Sequence, residues 1–324
     1  MALKVYISED ITSPGKELLR EKGYEVIIGK DDSRDTILKN ITDVDAILVR
    51  TAVFDEGLLA SAKNLKVIAK YGVGYDNIDV KAAENLGIWA TNAPLSNIVS
   101  VSEFVIGALI YSVRHYSKVD RFIREKNYRL RTTIEGTELD GKTLGIVGVG
   151  RIGSLVARKA HFGLDMKIIG YDPYIDEAGL PDYIELLPSL ETVFDRADYV
   201  TVHTPSNPET VGMIDKRLMS RMKKSAIVLN CARGGIVNER DLYEVLSEGV
   251  IAGAVVDVFR PEPPMDDNPL LTLDNILLTP HYAAITAEAG ARSGIHAATC
   301  IDEVLNGKAP SWPVNNPVSP RNMR

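Results

Sequence analysis

Cysteine, long apolar runs and positive charge are all scarce in this chain of 324 residues. The two cysteines, Cys231 and Cys300, cannot build a disulfide framework and lack the spacing of zinc ligands, so we expect a reducing compartment and no metal site. The longest strongly apolar run, Phe104–Val113, is too short to span a bilayer, and the N-terminal segment has no apolar signal core. The sequence therefore predicts a cytoplasmic protein without a membrane partner.

The charge balance excludes a second class of partner. Lysine and arginine number 37 against 44 aspartates and glutamates, which gives a formal charge of −7. Nucleic acids and anionic membranes require a basic surface, so neither is an expected partner. Apolar residues make up 45% of the chain and charged residues 25%, as in ordinary globular proteins. The length exceeds what one core usually supports, so we expect two domains.

The stretch from Thr143 to Asp172 has the order of a dinucleotide-binding unit. A short apolar run precedes Gly148, Gly150 and Gly153, which have G-x-G-x-x-G spacing, and apolar residues at helical spacing follow. Such glycines allow a tight turn, close approach of a pyrophosphate, and close packing of helix on strand. The helix N-terminus adds free N–H groups for the phosphates. Because glycine-rich turns are common, plain strand–turn–helix packing is the alternative.

The acid that ends this stretch predicts the coenzyme. Asp172 lies nineteen residues beyond Gly153, where a carboxylate accepts hydrogen bonds from the adenosine ribose hydroxyls. The same carboxylate would repel a 2′-phosphate, so we predict NAD rather than NADP. Gly163 is the predicted end of the intervening helix.

Short apolar runs alternate with helical patterns along the whole chain, which indicates an α/β fold with parallel sheets. The predicted strands cover 5–8, 26–28, 46–49, 67–69, 88–90, 144–147, 166–170, 199–203, 226–230, 254–258 and 276–278. The predicted helices cover 14–22, 34–40, 80–85, 98–117, 189–195, 215–221, 239–247 and 286–305. Ser13, Ser33 and Asp79 are the predicted N-caps of the first three helices.

Polar residues follow the predicted strands of the second half, at the edge where doubly wound sheets bind ligands. They are Asp172, Thr204, Cys231, Arg233, Glu262 and His281, together with Asp257 near the end of its predicted strand, and the apolar Ala232 stands between Cys231 and Arg233. Arg233 stands among small residues and suits bidentate capture of a carboxylate, although a surface ion pair is the alternative. A lone histidine is more often structural, but Glu262 can orient His281 as an acid or base. These three residues supply what NAD chemistry on an alcohol or ketone needs.

The first half offers a weaker candidate site. Arg50 and Thr51 end one predicted strand, and the glycine-rich loop with Val73 and Gly74 follows another. Parallel strands bring both to one sheet edge, where the loop amides can meet an anion and Arg50 can meet the far end of a substrate. Two ordinary turns are the alternative.

Seven segments together resemble the D-isomer-specific 2-hydroxyacid dehydrogenase family. They are GVGYDNID at 72–79, TNAPLSNIVSVSE at 91–103, GKTLGIVGVGRIG at 141–153, VTVHTP at 200–205, NCARGGIVNE at 230–239, VDVFRPEPP at 256–264 and TPHYAA at 279–284. Within the family the chain is most similar to the phosphoglycerate dehydrogenase branch, through GTELDGKTLGIVGVGRIG, NCARGGIV and Arg50-Thr51. The likeness covers nearly the whole chain.

The resemblance implies two doubly wound parallel-sheet domains, with a Rossmann NAD domain inserted into a flavodoxin-like substrate domain. The implied substrate domain covers 1–97 and 288–324, and the implied NAD domain covers 98–287. Sequence patterns alone would place one boundary near 140. Family dimers pair through the NAD domain, so a homodimer is implied.

The resemblance also implies residue roles. Arg233 would hold the substrate carboxylate and carbonyl, His281 would carry the proton, and Glu262 would orient the histidine. Coenzyme contacts are implied for Arg151, Ile152, Asp172, Thr204, Cys231 and Asp257, and we add Ala232 and the three motif glycines. The backbone at Val73 and Gly74 would meet the substrate carboxylate.

The sequence thus predicts an NAD-dependent oxidoreductase that interconverts a D-2-hydroxy acid and its 2-keto acid. 3-Phosphoglycerate is the leading substrate, and hydroxypyruvate, glyoxylate or another small 2-keto acid is the alternative. An NAD(H)-sensing corepressor-like interaction protein is the alternative of another class, but the chain has only a short tail where such proteins carry long disordered segments. A formate dehydrogenase is disfavoured, because that branch carries Gln where this chain has Glu262.

Two departures qualify the resemblance. The segment HYAAIT differs from the commoner family pattern after the histidine, which affects the expected pocket wall near Tyr282. The chain also stops about where many phosphoglycerate enzymes begin a regulatory extension, so allosteric control by serine is not expected.

Overall fold

A computed structural model describes residues 2–321, which form two compact units. Unit 1 comprises Met1–Asn97 together with Ile285–Arg324, and unit 2 comprises Ile98–Ala284. Each unit contains one parallel sheet with helices packed on both faces, so the predicted α/β class is confirmed. Which part of the chain binds the substrate, and which binds the coenzyme, stays a prediction.

The strands are β1 (Lys4–Ile7), β2 (Glu25–Ile28), β3 (Ala46–Val49), β4 (Val67–Lys70), β5 (Trp89–Thr91), β6 (Thr143–Val147), β7 (Lys167–Tyr171), β8 (Ile184–Leu186), β9 (Tyr199–Val202), β10 (Ile227–Asn230), β11 (Gly253–Val256) and β12 (Ile276–Leu278). The helices are α1 (Ser13–Glu21), α2 (Arg34–Asn40), α3 (Glu56–Ser61), α4 (Val80–Asn85), α5 (Ile98–Val113), α6 (Tyr116–Arg124), α7 (Arg151–Leu164), α8 (Leu190–Arg196), α9 (Lys216–Met219), α10 (Glu239–Ser247) and α11 (Ala287–Leu305). Short 3-10 turns cover Tyr128–Thr132, Glu177–Gly179 and Pro269–Thr272.

The sheet of unit 1 has the order β2-β1-β3-β4-β5, which is the flavodoxin-like order. Strand β3 and the first three residues of β4 are apolar and buried, because both faces of the sheet are covered, and β4 ends in Lys70. One face is covered by α1 and α11, whose Leu19, Ala297 and Ile301 pack on β1 and β3 side chains. The predicted flavodoxin-like architecture is therefore confirmed.

The sheet of unit 2 has the order β12-β11-β10-β9-β6-β7-β8. Its strand order reverses between β6 and β9, which is the switch point where doubly wound sheets bind ligands. In register, Val147 at the end of β6 pairs with Tyr171 of β7 and with Val202 of β9. The loops after these three strands consequently emerge side by side, and the predicted Rossmann architecture is confirmed.

Two of the three predicted N-cap residues are confirmed, and the third is wrong. The Ser33 and Asp79 side chains accept hydrogen bonds from helical amides, as predicted for N-caps. Ser13, in contrast, was wrongly predicted as a cap, since it is already the first residue of α1. The N-cap position belongs to Thr12, whose hydroxyl lies 3.1 Å from the Tyr71 hydroxyl and makes no capping bond.

Two other helix predictions are wrong for one shared reason. The predicted helix 98–117 breaks after Val113, where His115 adopts a left-handed conformation with φ of 53°, and α6 starts a new direction bent by 57°. The helix predicted to end at Gly163 continues to Leu164 and ends at Asp165, which is also left-handed with φ of 50°. Left-handed histidine and aspartate residues are uncommon, and apolar periodicity does not reveal them. Strand β8 and helix α3 were likewise not predicted.

Across residues 2–321, no one helix combines the length and apolarity of a bilayer span. Helices α5 and α6 satisfy that test only when they are taken together as a bent pair.

The C-terminal segment of unit 1 runs along the outer edge of β5. Thr91 and Pro313 form an antiparallel bridge, the Val314 amide donates to the Ala90 carbonyl at 2.8 Å, and the Asn315 side chain accepts from the Ala90 amide at 2.8 Å. The guanidinium of Arg321 donates to the carbonyl of Ala62 at 2.7 Å. The open edge of the sheet is thus covered by the chain itself.

We expect Gly15→Ala to destabilise unit 1. A Cβ at Gly15 would lie 2.7 Å from the Cα and carbonyl carbon of Gly294, where α1 crosses α11. Because backbone must move to admit it, the free energy of unfolding should fall by about 1–3 kcal/mol in urea denaturation. Gly163→Ala is the control, since no atom lies within 4 Å of a Cβ there. An equal loss in both variants would contradict the packing explanation.

Candidate active site

The glycine-rich loop after β6 combines two tight contacts with one open position. Gly148 has φ of 92°, and a Cβ there would lie 2.9 Å from the carbonyl carbon of His203. A Cβ at Gly153 would lie 2.2 Å from the Gly148 carbonyl oxygen, so both positions require glycine. Gly150 is the N-cap of α7, and no atom lies within 4 Å of a Cβ there. The space above the helix N-terminus can therefore receive a phosphate.

Asp172 ties the loop after β7 to the glycine loop. One carboxylate oxygen accepts from the Val149 amide and the other from the Tyr174 amide, each at 3.0 Å. A carboxylate has room for about four acceptor contacts, so lone pairs remain for ribose hydroxyls. Arg151 and Ile152, predicted as coenzyme contacts, form the first turn of α7.

A buried hydroxyl beside the glycine loop supports the fit of a dinucleotide. The Thr204 Oγ1 atom is buried and bonds to nothing among residues 2–321, while the Thr204 methyl lies 3.0 Å from a Cβ position on Gly148. An unpaired buried hydroxyl costs free energy, so this position suits a polar group of a ligand. The Nδ1 atom of the neighbouring His203 is likewise buried without a partner among residues 2–321, and burial lowers the pKa of this histidine to about 4 and keeps it neutral.

The loop after β10 carries Arg233 and packs on the loop after β11. Arg233 donates to the Ala232 carbonyl at 2.7 Å, and its own carbonyl accepts from the Asn230 side chain at 3.0 Å. A Cβ at Gly234 would lie 1.9 Å from the carbonyl oxygen of Phe259, so the two loops touch through backbone. This contact links the Arg233 turn to the segment that ends in Glu262.

Glu262 and His281 form a direct pair. The Glu262 carboxylate accepts from the Phe259 amide at 2.9 Å and lies 2.9 Å from Nδ1 of His281. A carboxylate can only accept, so Nδ1 carries the proton that it shares with Glu262, and Nε2 is the ring nitrogen that faces away from this pair. Within residues 2–321, Nε2 has no hydrogen-bond partner, and the imidazole side chain is 47% exposed. This pair is arranged to exchange a proton with a bound ligand.

Asp257 holds the histidine loop in place, a task that the sequence did not reveal. Its fully buried carboxylate accepts from the Thr279 hydroxyl at 2.6 Å and from the amides of Tyr282 and Ala283 at 2.7 and 3.0 Å. Its carbonyl accepts from the His281 amide at 2.7 Å, at the residue with φ of 53°. The sequence signal that could have indicated this role is an aspartate within the apolar run of a predicted strand. The coenzyme contact predicted for Asp257 stays a prediction.

Cys231 lies at the same sheet edge but is not a nucleophile. The thiol is buried at the end of β10, and burial raises its pKa, so it remains protonated. Across the described residues, no group of three or more histidine, cysteine, aspartate or glutamate side chains is placed to hold a metal ion.

The substrate residues predicted in the first half lie at one edge of unit 1. Strands β3 and β4 pair in register through Val49 and Lys70, so Arg50 and the loop after β4 emerge together. The amides of Val73 and Gly74 donate no hydrogen bond to any residue from 2 to 321. These amides are therefore available to an anion, and their contact with the substrate carboxylate stays a prediction.

Comparison with known proteins identifies the family. Residues 106–283 match the family model described as D-isomer specific 2-hydroxyacid dehydrogenase, NAD binding domain. The chain belongs to this family, and unit 2 contains its NAD-binding domain.

Individual relatives agree with this placement. D-3-phosphoglycerate dehydrogenase of Archaeoglobus fulgidus is 38% identical over 98% of the chain, but the match covers only 59% of that relative. The chain thus spans about six-tenths of the length of such relatives. Hydroxypyruvate reductase of Thermotoga maritima is 36% identical over 90% of the chain and 95% of the relative. The solved structure of the TT0316 protein from Thermus thermophilus superposes with a TM-score of 0.88, at 31% identity, over 97% of this chain and all of that one.

We expect Gly150→Ala to weaken NADH binding without loss of stability. The new methyl group occupies the open space at the N-terminus of α7, where the pyrophosphate of the coenzyme must approach the backbone. The Kd for NADH, measured by fluorescence titration, should rise about tenfold or more.

Gly107→Ala is the matched control, because no atom lies within 4 Å of a Cβ there and the site is in α5 of the same unit. Unchanged NADH affinity in Gly150→Ala would show that the coenzyme does not approach this turn.

Proposed function

We propose that this protein is an NAD-dependent oxidoreductase that interconverts a D-2-hydroxy acid and its 2-keto acid. The observation that carries the proposal is the Glu262–His281 pair with Nε2 open to ligands, on the same sheet edge as the glycine loop. Family membership supports the reaction class. Since the chain spans 59% of the Archaeoglobus relative, the activity is a proposal for this chain rather than a transfer from that protein.

Each side chain has one task in the proposed reaction. Bound NADH supplies the hydride that reduces the keto carbon. His281 delivers the Nε2 proton to the carbonyl oxygen as charge develops there, and takes a proton back in the oxidative direction. Glu262 keeps the imidazole in one tautomer and orientation. Arg233 binds the carboxylate next to the keto group and polarises the carbonyl.

For the substrate we propose 3-phosphoglycerate, with Arg50 at the phosphate end and the Val73 and Gly74 amides at the carboxylate, whereas both donors of Thr51 are held by Glu9. The Archaeoglobus relative supports this choice, because it is a D-3-phosphoglycerate dehydrogenase. Hydroxypyruvate is the second candidate, because the Thermotoga reductase is matched over 95% of its length. Asp172 favours NAD over NADP, since its carboxylate would repel a 2′-phosphate.

The deciding experiment is NADH oxidation with a panel of 2-keto acids, repeated with NADPH. We expect turnover of phosphohydroxypyruvate or hydroxypyruvate with a clear preference for NADH. A protein that binds NADH tightly but reduces no member of the panel would contradict the proposal and favour a coenzyme-sensing interaction protein. Equal kcat/KM for both coenzymes would remove Asp172 as the selector.

We expect His281→Ala to lower kcat by about 10²–10⁴-fold while the Kd for NADH changes little, because the imidazole acts on the substrate. Glu262→Gln should lower kcat by about 10–100-fold, since the amide can still accept from Phe259 but no longer fixes the imidazole through a charge. Steady-state kinetics and NADH titration measure both effects. His161→Ala is the control, as its ring stacks on Tyr183 at the far end of α7. Near-normal turnover of His281→Ala would exclude it as the proton donor.

We expect Arg50→Ala to raise KM for a phosphorylated 2-keto acid and to leave glyoxylate almost unchanged. A charge-assisted contact to a second anion contributes about 1.5–3 kcal/mol, or roughly 10–150-fold in KM, and glyoxylate has no second anion. Parallel kinetics with the two substrates measure the difference. An equal rise in KM for both would instead assign Arg50 to the common carboxylate or to folding.

We further propose a cytoplasmic homodimer that pairs through unit 2. Helix α6 has no buried residue, and its Tyr116, Val119 and Ile123 are exposed by 46, 39 and 56%. Such an uncovered apolar face on an amphipathic helix fits a second copy of the chain. The two free, buried cysteines are consistent with a reducing compartment.

We expect Ile123→Asp to convert the proposed dimer into a monomer, because the change places a charge in the apolar contact. Light scattering after size exclusion measures the mass. Val318→Asp is the control, since Val318 is 95% exposed and belongs to unit 1. A wild-type protein that is already monomeric would contradict the dimer.

A further inference from the structure

The carboxylate of Glu9, which lies just beyond β1, accepts hydrogen bonds from three successive backbone amides in the turn after β3. It accepts from the amide of Thr51 at 2.5 Å, of Ala52 at 2.7 Å and of Arg50 at 3.2 Å. The hydroxyls of Ser8 and Thr51 donate to the same carboxylate. Successive amides that point at one anion form a nest, and here the anion is supplied by the protein itself.

The opposite side of the turn is held as well. Lys70 donates from Nζ to the Arg50 carbonyl and, at 2.6 Å, to the Asn77 side chain. The Asn77 side-chain amide donates to the Ala52 carbonyl at 2.7 Å. The backbone from Arg50 to Ala52 is therefore fixed through both its N–H and its C=O groups.

Glu9 is charged in this position. Burial alone would raise its pKa, but the hydrogen bonds from Ser8 and Thr51 outweigh burial and hold the pKa below its ordinary value. Protonation would be needed to release the amides, so the turn stays anchored at neutral pH.

The side chain of Arg50, unlike its backbone, is not held by hydrogen bonds from residues 2–321. Arg50 is the first residue after β3 and is exposed, and its guanidinium makes no hydrogen bond or ion pair with any residue from 2 to 321. The backbone is immobilised while the cation remains available. Because Glu9 already occupies the amides of residues 50–52, an anion that arrives at this turn meets the Arg50 guanidinium and not the backbone of the turn.

We propose that Glu9 is the positioning residue for Arg50 and thereby sets the preference for substrates with a second anionic group. The inference rests on the proposed function, in which Arg50 contacts the far end of the substrate. Glu9 does not touch that substrate. It fixes the turn from which Arg50 reaches out, and it removes the turn amides as a competing anion site.

The first test compares substrates. Glu9→Ala should raise KM for phosphohydroxypyruvate about tenfold, with kcat within about twofold and KM for glyoxylate unchanged. Glu9→Gln keeps one oxygen for Thr51 and Ala52 but cannot accept from the Arg50 amide through its nitrogen, so its KM should lie between those of wild type and Glu9→Ala. Asp10→Ala is the matched control, because it removes the adjacent carboxylate, which pairs with Lys16. Equal effects of Glu9→Ala and Asp10→Ala would assign the change to long-range charge and overturn the proposal.

The second test is a double-mutant cycle. If Glu9 acts through Arg50, Glu9→Ala should add no further rise in KM once Arg50→Ala is present. Full additivity of the two changes would overturn the proposal.

The third test needs no turnover and separates this inference from the proposed function. Hydrogen exchange at the amides of residues 50–52 should accelerate in Glu9→Ala, less in Glu9→Gln, and not in Asp10→Ala. Unchanged exchange in Glu9→Ala would overturn the inference even in an active enzyme. A protein that reduces no 2-keto acid would overturn the proposed function, and with it the substrate half of this inference.

Discussion

The loops at the ligand-binding edge of unit 2 are held together by backbone contacts that leave no room for a side chain. A Cβ at Gly148 would meet the His203 carbonyl carbon at 2.9 Å, and a Cβ at Gly234 would meet the Phe259 carbonyl oxygen at 1.9 Å. The loops after β6, β9, β10 and β11 are thus joined in pairs with no intervening bulk. The side chains of the candidate site extend from this frame, and the buried carboxylate of Asp257 fixes the last loop, which carries His281. Rigid support of this kind keeps reacting groups in position without reorganisation.

In the proposed function, the two units recognise anions in opposite ways. At the N-terminus of α7 in unit 2, backbone donors face the open space at Gly150, which suits the invariant pyrophosphate of a coenzyme. In unit 1, the amides of residues 50–52 are satisfied by Glu9, so the proposal assigns recognition to the side chain of Arg50. A backbone N–H donor is the same for nearly every residue type, whereas a side-chain donor changes with the residue. The arrangement fits a constant coenzyme and a substrate that differs among relatives.

Local patterns were sufficient to predict much of the fold and most of the candidate site. The glycine motif and Asp172 could be recognised because they lie close together in the sequence. The resemblance to the family in seven segments indicated Arg233, Glu262 and His281. The break between α5 and α6 was missed, because the left-handed His115 leaves no trace in apolar spacing. Glu9 was also missed, since its partners lie 41 to 43 residues away and meet it only when β1 and β3 pair. Long-range hydrogen bonds to backbone have no sequence signature, because any residue type supplies the amide.

The strip of chain along β5 has a consequence for solubility. A bare outer strand offers a row of unpaired N–H and C=O groups that can recruit a strand from another molecule, which is a route to aggregation. Here the segment around Pro313 and Asn315 occupies that row. Prolines stand at positions 310, 313, 317 and 320, and proline has no N–H to offer. The covering segment therefore protects the β5 edge with a chain that offers few N–H groups to a foreign strand.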